Sequence, residues 1–128
     1  YFLDPDFGLM HVRLQTWFPL TVQVCVNGHS WLASQLDKAG IGIDAVVVVK
    51  THNPFAANDV FLADKLGVDV NSMNNYGCSL IFGHPQGPTG ARLIIEGIEE
   101  VVMAGGGYML FAGCAAGDTA GALVLKVT

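Results

Sequence analysis

The chain has 128 residues, 52% of them hydrophobic and 13% charged, against about 25% charged in an ordinary soluble domain. A net charge of −5 argues against a nucleic-acid-binding surface, the apolar content excludes disorder, and the apolar stretch Val101 to Gly117 is interrupted by Gly105-Gly106-Gly107 and Gly113, too soon for a membrane span. So few charges on a domain of this size imply apolar faces covered by further chain or by a second subunit.

The N-terminus, Tyr1-Phe2-Leu3 followed by Asp4-Pro5-Asp6, has neither the basic start nor the apolar core of a signal peptide. It also opens without Met, as a fragment would. Cys25, Cys78 and Cys114 are odd in number and widely spaced, which implies neither a disulfide framework nor a zinc site. A reducing cytoplasm is therefore the expected location.

Alternation through Val12, Leu14 and Thr16, and then Val22, Val24 and Val26, predicts two strands around Phe18-Pro19, closed by the turn Asn27-Gly28. Ser30 can cap a helix with Trp31, Leu32, Leu36 and Ala39 on one face and Gly40 as its left-handed stop. These elements form a β-β-α segment. The β-branched run Ala45 to Val49 reads as a strand covered on both faces of a parallel sheet. His52-Asn53-Pro54-Phe55 is the turn after it, and Asn58 or Asp59 can start a helix through Val60, Phe61, Ala63 and Leu66 to Gly67.

Val68 to Gly77 is a polar loop, and Ser79 to Phe82 is a short apolar approach to the Gly- and Pro-rich loop Gly83 to Gly90. A helix from about Thr89 to Ala104 places Leu93, Ile94, Ile98, Val101 and Val102 inward and Arg92, Glu96, Glu99 and Glu100 outward, and Gly105-Gly106-Gly107 stops it. Tyr108 to Ala112 and Ala120 to Val127 are two strands joined by the turn Gly113 to Asp118. The pattern is α/β: a mixed sheet with helices on its faces.

Three positions invite chemistry. His84 sits in a constrained loop that opens a helix, where an imidazole titrating near pH 6.5 can serve as a general base, or can simply bond the backbone. Cys114, among small residues, can trade a proton with a weakly acidic carbon, or can be a small buried hydrophobe. His52 and Asn53 lie past the C-terminal end of a buried strand, where open α/β sheets place ligand-binding groups, although Asn before Pro also starts turns. Cys78 and Cys25 read as packing, and the glycine triplet lacks the spacing of a dinucleotide loop.

Taken together, His52-Asn53-Pro54-Phe55-Ala56, the stretch Gly83-His84-Pro85-Gln86-Gly87-Pro88-Thr89-Gly90-Ala91-Arg92, then Gly105-Gly106-Gly107-Tyr108 and Gly113-Cys114-Ala115-Ala116-Gly117 resemble, in order and spacing, the C-terminal end of a thiolase. The resemblance runs from about Leu36 to Thr128, and residues 1–35 resemble no part of that family. It implies two segments: 1–35, of separate origin, and 36–128, a partial thiolase C-terminal domain.

For an intact enzyme the resemblance implies acyl transfer on acyl-CoA and 3-ketoacyl-CoA thioesters in lipid metabolism, by Claisen condensation or thiolysis. His84 would activate a nucleophilic cysteine and help hold the thioester oxygen, and Cys114 would move the α-proton. His52 stands where the family's NEAF motif begins and where its sterol-carrier-type branch has His. Gly113, Gly117 and Phe55 would lie against the substrate. The coenzyme A thioester is substrate, no cofactor or metal is implied, and the intact enzyme is expected to be a homo-oligomer.

Two departures stand out: Asn53 replaces the Glu of NEAF, and Cys114-Ala115-Ala116-Gly117 replaces CxGGG. No residue matches the family's acylated cysteine, so the resemblance also implies that these 128 residues alone are inactive. The alternatives are a non-catalytic acyl-CoA-binding module and a vestigial or chimeric chain.

Overall fold

The computed structural model describes residues 32–114 and 120–128. The two strands expected in the first 30 residues lie outside the described residues, as do Ser30 and Trp31.

Helix α1 occupies residues 32–39. Leu32, Gln35 and Leu36 are its buried positions, one stripe at helical spacing. Gly40 takes φ +67°, the left-handed stop that glycine supplies without strain. A single 3₁₀ turn, Ile43–Ala45, leads into β1, Val46–Thr51. The strand thus starts one residue later than the apolar run and continues through Lys50 and Thr51. Val49 packs with Leu32, Leu62, Ala63, Met73 and Leu110 on one face, and Val48 with Val101 and Met109 on the other. Both faces are covered, as a β-branched run requires. The exception is Val47, half exposed beside an irregularity in the strand register.

Helix α2, Ala56–Leu66, begins two residues ahead of Asn58, with extended Phe55 as its N-cap and no capping side chain. The expected start at Asn58 or Asp59 gives way because the Asp59 side chain is bonded elsewhere, to Thr51 and Asn53. Gly67, at φ +71°, ends the helix as expected. Leu62 and Ala63 carry its packing, whereas Val60, expected on the apolar face, is exposed.

Residues 68–77 contain one 3₁₀ turn, Val70–Ser72, and then perform a specific task at the outer edge of β1. Asn74, itself left-handed at φ 53°, donates its N–H to Val49 O at 2.9 Å and accepts the Thr51 N–H on Oδ1 at 2.7 Å. One residue thereby satisfies backbone groups that a neighbouring strand would otherwise pair.

The apolar approach Ser79–Phe82 is a single helical turn, α3. Helix α4, Thr89–Met103, buries Thr89, Leu93, Gly97 and Val101. Ile94 and Ile98 are partly buried, but Val102, expected inward, is exposed. Gly97 lets α4 lie close on the sheet, since a Cβ there would meet Met109 Cε at 2.4 Å and Lys50 Cγ at 3.2 Å.

Strands β2, Gly107–Cys114, and β3, Ala120–Val127, complete a sheet of order β1-β2-β3. β1 pairs parallel with β2, and β2 antiparallel with β3, so the sheet is mixed, with helices against its faces. β2 runs further than expected: Cys114 is its last residue, paired with Ala120, and not part of the turn.

Lys50 is the buried surprise. Fully enclosed, it pairs with Glu100 of α4 at 2.8 Å and donates to the backbone carbonyl of Asn75. Glu100 also accepts from Asn75 Nδ2 at 2.8 Å. The charge expected on the outward face of α4 instead neutralises a lysine under the helix.

Candidate functional site

The parallel register pairs Thr51 with Ala112, and His52 N donates to Ala112 O at 2.8 Å. β1 and β2 therefore run out together, and His52 emerges beside Gly113 at one edge of the sheet. A Cβ on Gly113 would lie 2.7 Å from Phe111 Cζ and 3.7 Å from His52 Cβ, so glycine leaves room for the Phe111 ring next to His52. The backbone of Cys114 follows at the same edge.

His52 is 9% exposed, and neither ring nitrogen has a hydrogen-bond partner among the described residues. Burial first, and the neighbouring His84 second, lower its pKa from 6.5 to about 4, because both disfavour the cationic ring. At neutral pH it is an uncharged imidazole, able to donate one hydrogen bond and accept another.

His84 comes from the loop between α3 and α4, and its ring lies against His52 with centroids 4.0 Å apart and planes tilted by 41°. Its Nδ1 is 3.1 Å from Thr89 Oγ1. Thr89, 2% exposed, has a single hydroxyl hydrogen, and Oγ1 lies 2.8 Å from Pro85 O, which can only accept. The His84 contact must therefore be Nδ1–H donating to Oγ1, which leaves the lone pair on Nε2. That is the tautomer a general base needs, inferred from the hydrogen-bond network.

The loop carrying His84 is anchored at both ends of α3. At its start Asn53 Oδ1 accepts the Ser79 N–H at 3.0 Å, supplying from another loop the cap that Cys78 does not. At its end the Arg92 guanidinium lies 5.0 Å from the centre of the Phe82 ring. Gly77, at φ +124°, is packed under that ring, where a Cβ would meet Phe82 Cε2 at 2.0 Å.

Of the positions singled out in the sequence, His52, His84 and Gly113 thus meet at one sheet edge, and the backbone of Cys114 adjoins them. Phe55 is 58% exposed at the start of α2. Gly117 lies outside the described residues. Cys78 is buried, as packing requires, and stands as the N-cap of α3. Sequence reasoning missed Thr89, which bonds the His84 ring, and Thr51, Asp59 and Asn74, which form a hydrogen-bonded cluster with Asn53 next to His52 in the chain. The available signal was a concentration of Asn, Asp and Thr in segments read only as loops or helix starts. Among the described residues no cluster of three or more His, Cys, Asp or Glu could hold a metal ion, and no helix is long and apolar enough to cross a membrane.

Two histidines and the end of a strand gathered at the C-terminal edge of an α/β sheet occupy the place where such sheets bind their ligands. The profile of the thiolase C-terminal domain matches residues 24–127, beginning ahead of Leu36, where the resemblance of the motifs starts. The chain belongs to the thiolase family, as part of its C-terminal domain.

A 3-ketoacyl-CoA thiolase of Serratia proteamaculans is 36% identical over 109 residues, covering 72% of this chain and 25% of that protein. Human mitochondrial 3-ketoacyl-CoA thiolase, solved with CoA, shares the fold at TM-score 0.79 and 21% identity, over 94% of this chain and 29% of that one. The acetyl-CoA acetyltransferase of Bacillus anthracis shares it at TM-score 0.79 and 20% identity, with the same coverage. The chain thus spans a quarter to three-tenths of the length of these relatives.

Proposed function

We infer that this chain carries the proton-transferring part of an acyltransferase site acting on acyl-CoA and 3-ketoacyl-CoA thioesters. The observation that carries the reading is the His84 ring, fixed by Thr89 with the lone pair on Nε2 and set against a neutral His52. His84 Nε2 takes the proton of a cysteine thiol, and the thiolate attacks the thioester carbonyl. The oxyanion that forms accepts a hydrogen bond from the neutral His52 ring, and the coenzyme A thiolate leaves with a proton returned by His84. Cys114 exchanges the substrate's α-proton, so that the carbon–carbon bond can form or break. Gly113, Gly117 and Phe55 border the acyl group. The thioester is the substrate and no further cofactor takes part. A homo-oligomer in the cytoplasm is the expected setting.

None of the 128 residues matches the cysteine that becomes acylated, so the chain by itself is expected to show no turnover. That same observation favours a second reading, a non-catalytic module that binds acyl-CoA. Calorimetric titration of the chain with an acyl-CoA tests this second reading: tight stoichiometric binding supports the module, and a silent or aggregated sample supports a vestigial chain.

The acyltransferase reading is tested by joining residues 24–128, the span that begins with the family match, to a thiolase N-terminal half and measuring thiolysis. His84→Ala and Cys114→Ala are each expected to lower kcat by about 10²–10⁴-fold, the usual worth of a general acid or base. Full activity in both variants would overturn the assignment.

A further inference from the structure

Beneath His52 lies a cluster of polar side chains that touches neither histidine ring through any hydrogen bond the described residues show. Its centre is the Asp59 carboxylate, 9% exposed. It accepts hydrogen bonds from Thr51 Oγ1, Asn53 Nδ2 and, at 3.1 Å, Asn74 Nδ2. Thr51, Asn53 and Ser79 are 3%, 1% and 6% exposed, so water can substitute for little of this bonding.

We propose that Asn53 and Asp59 are positioning residues of the site: Asp59 orients the Asn53 carboxamide, and the carboxamide ties the Ser79 amide, and with it the His84 loop, to the loop that carries His52.

The orientation is fixed from two sides. With Nδ2 toward Asp59 and Oδ1 toward the Ser79 N–H, each of the two contacts sets a donor against an acceptor. Turned over, the amide would set oxygen against carboxylate and NH₂ against N–H, leaving four buried groups unmatched. Ser79 opens α3, a turn of four residues whose own N-cap contributes no side-chain bond, and Gly83-His84 follow directly. A shift of the Ser79 amide is therefore carried within one helical turn to His84. The departure from the NEAF motif fits: a glutamate at position 53 would bring a second carboxylate against Asp59 and would lack the donor that Asp59 receives.

The inference rests on the reading of His52 and His84 as working groups, but its test needs no turnover, so the two can fail separately. In the isotopically labelled full chain, NMR reads the ring-to-ring NOE between His52 and His84, the His52 titration midpoint, and hydrogen exchange at the Ser79 amide. Asn53→Ala is expected to abolish the NOE, to move the His52 midpoint up toward its ordinary value as the ring gains solvent and loses His84, and to speed Ser79 exchange about tenfold, the loss of one net hydrogen bond. Asp59→Asn, nearly isosteric, is expected to do the same more weakly and provides the reading should Asn53→Ala not fold.

The exchanged pair, Asn53→Asp with Asp59→Asn, restores one donor facing one carboxylate and keeps an oxygen for Ser79. It is expected to recover the NOE relative to either single variant. Leu110→Ala, which destabilises the core elsewhere, should lower Tm and leave NOE and midpoint in place. An unchanged NOE and Ser79 exchange rate in Asn53→Ala and in Asp59→Asn, or an exchanged pair no better than its singles, would overturn the proposal.

Discussion

A buried histidine held neutral makes folding sensitive to acid. The folded pKa of His52, about 4, lies below the ordinary 6.5, so between these values the unfolded chain binds the extra proton. The stability contributed by keeping the ring neutral is fully present above 6.5 and is lost as pH falls toward 4, at up to about 1.4 kcal/mol per pH unit for one proton. His52→Asn should flatten this window relative to the parent chain in urea titrations at a series of pH values; parallel slopes would show that the ring is not the cause. At this scale the sequence was legible where a motif named a residue, and blind where a partner decided its state. His52 and His84 could be picked out from the segments that hold them. That the two rings meet depends on the loops after β1 and after α3 coming together, which no local spacing encodes, whereas Thr89, five residues from His84, sets the tautomer of its ring across one loop.

Among the elements, β1 and α4 are joined by the ion pair of Lys50 and Glu100. Lys50→Met should cost about 3 kcal/mol, the lower end for breaking a buried pair, because Glu100 keeps slight exposure. Lys50→Met combined with Glu100→Leu should recover most of that loss in denaturant titration. Equal destabilisation of the single and double variants would refute this. Elements governed by backbone punctuation were readable: Gly40 and Gly67 end their helices in the left-handed region, and Gly105, Gly106 and Gly107, all at positive φ, follow α4. The start of α2 was not, because Asp59, a fitting N-cap by type, is drawn into a tertiary cluster. Nor was the end of β2, since pairing of Cys114 with Ala120 extends the strand into residues that read as a turn.

For the molecule as a whole, the shortage of charge has a visible location. Leu80, Ile81 and Phe82 on α3, and Ile95, Val102 and Met103 on α4, are each at least half exposed, a concentration of apolar surface that a monomer in water rarely tolerates. The isolated chain should sediment as species heavier than a monomer at micromolar concentration, and Ile95→Glu with Val102→Lys should shift it toward the monomer. A monodisperse parent chain would contradict this. α/β character was readable from the alternation of β-branched runs with helical periodicity, whereas the faces left uncovered depend on how α4 rotates over the sheet, which placed Val102 outward against expectation.

The mixed sheet also dictates an order of events. β2 and β3 are near neighbours in sequence, and their antiparallel pairing closes a short loop on the microsecond scale of hairpins. β1 pairs with β2 across about sixty residues, Val46 with Tyr108, and the entropy of closing that loop must be met before the contact returns anything. The edge that gathers His52 and Gly113 therefore exists only after the slowest pairing in the sheet is complete. A nascent or partly unfolded chain can hold its hairpin and its helices and still have no site.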